Sequence, residues 1–153
     1  MILSATQLAN IKKAIKDREQ LDLQGCAEEE PDWVDKVFFQ ELPVAETETV
    51  LLVEAGPGCA RGGQGANGAM WVVRLADEKV SFLATPQQNF DGFLYSVQPT
   101  TSHGLRDLVL GWHISSGETD LGYFSFDGSS YRWVGNAVLL VASDGTRKIV
   151  TDR

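Results

Sequence analysis

The sequence predicts a single α+β domain, in which an N-terminal helix packs on a predominantly antiparallel β-sheet system. Three observations predict it. A capped apolar stripe with helical spacing opens the chain, and period-two runs fill residues 37–151. No helical pattern separates those runs, which argues against βαβ crossovers and a parallel sheet. The length of 153 residues suits one domain, 1–153, with a sizeable core of its own.

The helix comes first. Ser4-Ala5-Thr6-Gln7 fits a capping box, with the serine as cap and a glutamine three positions on. Leu8, Ile11 and Ile15 then recur at spacings of three and four, while Lys12, Lys13 and Lys16 face elsewhere. The spacing predicts a helix from about Thr6 to Gln20, ended before Gly25, whose role is to cover one face of a sheet. Residues 27–32 follow as an acidic linker. Three consecutive glutamates, Glu28 to Glu30, do not place carboxylates at the alternating positions of a calcium loop, so a solvated segment is expected.

Ten strands are predicted: Val37–Leu42, Thr47–Ala55, Met70–Ala76, Lys79–Ala84, Phe93–Gln98, Leu108–Ser115, Asp120–Phe126, Ser130–Gly135, Ala137–Ser143 and Arg147–Thr151. Alternation puts Leu108, Leu110, Trp112 and Ile114 on one face and Val109, Gly111, His113 and Ser115 on the other. Ala137–Ala142 lacks alternation and reads as a strand buried on both faces. Asp144-Gly145 marks a tight hairpin and Asp127–Ser130 a longer turn. A turn is expected after Pro99, carrying Ser102, His103 and Asp107.

The chain also reads as a weak internal repeat, or as two hairpins that look alike as any two hairpins do. At a constant offset, Met70 aligns with Leu121, Val73 with Phe124, Leu75 with Phe126, Val80 with Tyr131 and Phe82 with Trp133. An apolar run precedes each copy, so each unit reads as strand, loop, strand, tight turn, strand.

The stretch GPGCARGGQGANG, Gly56 to Gly68, asks whether glycines here cradle a phosphate. A P-loop needs G-x-x-x-x-G-K-[ST], but Gln64 and Gly65 follow Gly63. A dinucleotide fingerprint needs a helix next, and strand-like Met70–Val73 follows instead. The glycines read as a loop that tolerates positive φ, with Arg61 its only charge. A ligand-gating role for this loop is the functional reading.

Charge and composition narrow the function classes. The net charge is −8 and the only basic cluster, Lys12 to Arg18, is interleaved with acids, so no nucleic-acid partner is expected. No apolar run reaches the roughly 18 residues of a membrane span. Only two histidines occur, His103 and His113, in no zinc-binding spacing, and no metal or cofactor is expected. G-x-S-x-G is absent as well. Ser102, His103 and Asp107 form the best acid–base cluster. The aromatics read as core, or as the lining of a carbohydrate or peptide groove.

Cys26 and Cys59 lie in no C-x-x-C spacing. In an exported protein they form a candidate disulfide, closing a loop of about 33 residues worth about 3–4 kcal/mol by chain entropy. In a cytosolic protein they stay as thiols. Met1-Ile2-Leu3 is too short for a leader, so the chain reads either as cytoplasmic or as the mature form of an exported protein.

Residues Asp107–Trp133 resemble a segment of small bacterial exported proteins of unknown function. The shared pattern is Asp107, Leu108, Val109, His113, Ser115, Leu121, Tyr123 or Phe124, Phe126-Asp127-Gly128 and Tyr131. The segment also resembles blades of FG-GAP-like repeat proteins, without their calcium-ligand acids. The resemblance covers about a fifth of the chain and implies export to a bacterial envelope, periplasmic or extracellular. The expected function is therefore a non-enzymatic envelope protein that binds another protein or a cell-wall component, of inhibitor or immunity type. Arg61, His103, Asp107 and His113 are the candidate binding residues. The alternative is a small hydrolase using His103 or His113 with a nearby aspartate.

Overall fold

The computed structural model describes residues 3–19, 30–56, 58, 61–62 and 67–151. Helix α1 spans Ala5–Arg18. The strands are β1 (Phe38–Glu41), β2 (Thr49–Glu54), β3 (Arg61–Gly62), β4 (Asn67–Ala76), β5 (Lys79–Ala84), β6 (Asp91–Ser102), β7 (Leu105–Ser115), β8 (Glu118–Phe126), β9 (Tyr131–Val141) and β10 (Arg147–Val150). All their pairings are antiparallel.

The capping box forms as the sequence predicts. Ser4 Oγ accepts from the Gln7 N–H, and Gln7 Oε1 accepts from the Ser4 N–H, both at 3.0 Å. Ile11 and Ile15 are fully buried. Lys13 pairs with Asp17 one turn on, along the solvent side. Lys16 and Arg18 close the helix where its dipole favours cations.

Two strand readings need correction. Ser130–Gly135 and Ala137–Ser143 are one strand, β9, bent at a bulge opposite Tyr123 and Phe124. It is buried on both faces over Ala137–Leu139 but not on through Ala142. Leu140 is 39% exposed, because it and its pairing partner Lys148 lie past the core. The expected turn after Pro99 is also displaced. β6 continues through Pro99 to Ser102, and the two-residue turn is His103-Gly104. Proline lacks an N–H, and Pro99 falls in the break of the ladder between Val97 and Thr101. A single turn of 3-10 helix at Trp33–Lys36, just past the acidic linker, was not legible as a helical pattern. Of that linker, Glu30 and Asp32 hold Lys36 at 3.4 and 3.9 Å.

The strands form two meanders in sequence, β1-β2-β4-β5 and β6-β7-β8-β9, the second extended by β10. A short pairing of Gly68 and Ala69 with Gly92 and Asp91 joins them. The layers follow from side-chain parity. Leu51, Val53, Trp71 and Val73 of the first meander face Ile11, Ile15, Trp33 and Val34. Their strand neighbours Val50, Leu52, Met70 and Val72 face Leu108, Leu110, Phe124 and Phe126 of the second. Phe90 sits at the centre of that inner layer, with Phe124 edge-on at 5.1 Å between centroids. Behind the second meander, Val109, Leu121, Ala137 and Leu139 form a smaller cluster with Tyr95 and Tyr123.

The internal repeat has a structural counterpart. Cross-strand pairs Val73–Phe82 and Leu75–Val80 recur as Phe124–Trp133 and Phe126–Tyr131 at the same offset. The bulge between Val72 and Val73 recurs between Tyr123 and Phe124. Positive φ at Asp77 recurs at Gly128. The two meanders stack in the same sense, since the face that α1 covers on the first is the one that the first covers on the second.

Candidate functional site

One groove stands out, an open cleft of about 650 Å³ between the residues 43–48 loop and the β6–β7 turn. Arg106 N–H donates to the Val44 carbonyl at 3.0 Å and fixes the two walls together. Tyr131 holds the same segment from behind, donating its hydroxyl to the Arg106 carbonyl at 2.8 Å. Burial, and then the negative Asp107, push the Tyr131 phenol far above its ordinary range, so it remains a donor.

The groove is charged. Arg74 reaches in from β4, pairs with Glu48 at 3.1 Å and stacks on the Phe126 ring at 5.6 Å. Its Nε is buried with no acceptor among the described residues. Glu46, His103 and Arg106 complete the lining. Sequence reasoning missed Arg74, Arg106, Glu46 and Glu48. No motif marks them, because isolated charges on strands and loops resemble ordinary solvent-facing positions.

His103 occupies the first turn position, with φ of 51°, and Gly104 follows with φ of 88°. Two consecutive positive values make the primed turn that suits strand twist. The His103 Nδ1 lies 3.0 Å from the Phe126 carbonyl, an acceptor, so that nitrogen carries the proton. Asp107 points to hydroxyls. Thr100 Oγ1 donates to it at 2.6 Å and Ser102 Oγ at 2.8 Å. Desolvation raises its carboxyl, but hydroxyls of Thr100, Ser102 and Ser125 outweigh it, and the group sits below the usual carboxylate range. His103 and Asp107 are thus neighbours on one hairpin, each engaged by a different partner.

His113 lies at the far end of β7, about 30 Å away at ~3.3 Å per residue. Its backbone N–H and C=O bracket the Asn67 amide at 2.8 and 3.1 Å, and its side chain is exposed. The two histidines therefore share no site. Arg61 begins β3, the short strand that pairs antiparallel with Asn67 and Gly68 of β4. Cys26 and Cys59 lie outside the described residues, as do most positions of that stretch. Asp127 belongs to its own turn. Its Oδ1 accepts the Ser129 and Ser130 N–H groups at 2.8 Å, and Oδ2 accepts Arg132 Nε at 2.7 Å. Those backbone bonds, then Arg132, hold its carboxyl far below the ordinary range.

Among the described residues no group of three or more His, Cys, Asp or Glu could hold a metal ion. No described helix is long and apolar enough to cross a membrane. The fold and groove define a class, a helix-covered pair of tandem four-stranded antiparallel units with a charged cleft at one end. Compared with known proteins, the chain matches no family model, no curated protein and no solved structure.

Proposed function

We propose that the chain is a non-enzymatic binding module of the bacterial envelope, holding a cell-wall component or another protein in the cleft between residues 43–48 and 99–106. One observation carries this reading. The cleft gathers Arg74, Arg106, Glu46 and Glu48 beside His103, while Asp107 lies outside its lining. His103 is bonded to a backbone carbonyl and Asp107 to hydroxyls. In a Ser-His-Asp triad a carboxylate orients the histidine, and here no His103–Asp107 bond is made. The orphaned Nε of Arg74 favours an acceptor-bearing ligand such as a carboxylate. Placement in the envelope rests on the resemblance of residues 107–133 to exported proteins and on the cysteine pair.

The test is co-sedimentation of the purified chain with isolated cell-wall sacculi. Salt-sensitive retention is expected, weakened by Arg106→Ala and by Arg74→Ala, with no soluble wall fragments released. Release of fragments that depends on His103 would replace this reading with the hydrolase. Retention indifferent to Arg74 and Arg106 would remove the cleft from it.

A further inference from the structure

A second site emerges where the two meanders differ. In the first, Phe82 carries a guanidinium, with Arg18 Cζ 5.1 Å from the ring centroid. Beside it Trp71 fills the face, stacked on Trp33 at 6.1 Å, and donates its indole N–H to the Glu19 carboxylate at 2.9 Å. Arg18 and Glu19 are consecutive, so the end of α1 brings a cation to one aromatic ring and an anion to the next.

In the second meander the matching positions are Trp133 for Phe82 and Gly122 for Trp71. Trp133 is 55% exposed, and no helix lies over it among the described residues. Gly122 leaves a recess of about 150 Å³. A Cβ there would already stand 3.1 Å from Phe124 and 3.8 Å from Trp133, so the space exists because the residue is glycine. Trp112, 41% exposed, and the carboxylates of Asp91 and Asp120 complete the wall. Trp112 and Asp120 are direct cross-strand partners.

We propose that this recess binds a guanidinium group, the side chain of an arginine on a partner polypeptide. Its plane lies on Trp133 and its N–H groups meet the acidic wall. Tryptophan is the best aromatic face for a cation, and arginine both stacks on rings and donates in a fork to carboxylates. The protein already uses this pairing twice, at Arg18 on Phe82 and at Arg74 on Phe126. Its net charge of −8 draws a basic partner. Desolvation pushes the Asp91 carboxyl above its ordinary range, and an incoming cation relieves that. This site is separate from the charged cleft, so its test does not depend on the wall-binding reading.

The experiment titrates the full ¹⁵N-labelled chain with N-acetyl-arginine methylamide and follows its four indole N–H resonances. The Trp112 and Trp133 signals are expected to shift and saturate with a dissociation constant of about a millimolar, while Trp33 and Trp71 stay fixed. The citrulline analogue, equal in shape and uncharged, is expected to shift neither. Asp91→Asn is expected to weaken arginine binding about threefold to tenfold. An equal response to citrulline makes the recess a plain apolar surface and overturns the proposal, as does an unsaturated response to arginine. Choline binding more tightly than the arginine derivative assigns the recess to a free quaternary ammonium and overturns it too.

Discussion

Trp71 and Glu19 are joined across 52 residues of sequence by one buried hydrogen bond, indole Nε1 to carboxylate Oε1 at 2.9 Å. The other carboxylate oxygen accepts Gln87 Nε2 at 2.6 Å, and Glu19 is 1% exposed. Glu19, the cap just past Arg18, thus locks α1 to β4. Replacing Glu19 with leucine strips a buried indole of its acceptor and is expected to cost about 1–3 kcal/mol in urea unfolding. Glu19→Gln keeps an acceptor and is expected to cost clearly less. Equal losses would show that the bond contributes nothing specific.

Phe90 lies between the two meanders and is fully buried. It touches Phe124 edge-on and Tyr131 at 6.3 Å. Phe90→Ala should open a cavity in the inner layer and lower stability by about 3–5 kcal/mol. Chemical denaturation checks this. A loss under about 1 kcal/mol would mean that the meanders do not rely on this layer for cohesion.

Asp107 and Asp91 respond oppositely to pH. Folding lowers the Asp107 carboxyl, so its stabilisation is full above the unfolded value near 3.9 and is lost as pH falls through the lower folded value. Asp107→Asn should therefore flatten acid unfolding at the low end. Folding raises Asp91, so its penalty is absent below the unfolded value and complete above the folded one. Asp91→Asn should stabilise the protein at pH 7 and be neutral below pH about 3. Thermal melts of both variants across pH test the two signs, and like signs would contradict the geometry.

His103 holds a left-handed conformation that few side chains accept. Asparagine tolerates it and a β-branched residue does not. His103→Asn should keep the hairpin, whereas His103→Val should lose about 1–3 kcal/mol beyond it. Matched unfolding curves would indicate that the turn relaxes to another form.

Much of this architecture was legible in the sequence because it is written locally. The Ser4–Gln7 box, the Ile11–Ile15 stripe and the alternation of Leu108 and Leu110 each signal their own structure. The repeat was legible too, since apolar residues recur at a fixed offset. Pro99 misled because a ladder break depends on how β6 meets β7, and no residue of β6 alone reveals it. The cleft was half legible. His103 and Asp107 were visible as chemistry, but Arg74 and Glu48 become neighbours only when β4 is laid beside β2. The recess at Gly122 was invisible, because a missing side chain has no signature until its counterpart, Trp71, is known.

The shared stacking sense of the two meanders has a consequence for symmetry. Partners related by a two-fold axis bury the same face against itself and the series stops there. Partners related head to tail do not close, and each end needs a different seal. Here α1 seals one end, and Tyr95 and Tyr123 gather over Val109 and Leu121 at the other. Removing the helix would uncover a surface already matched to the back of a meander. Shortened forms of this chain should then grow into linear strings rather than unfold as single molecules, and light scattering would see them lengthen with concentration.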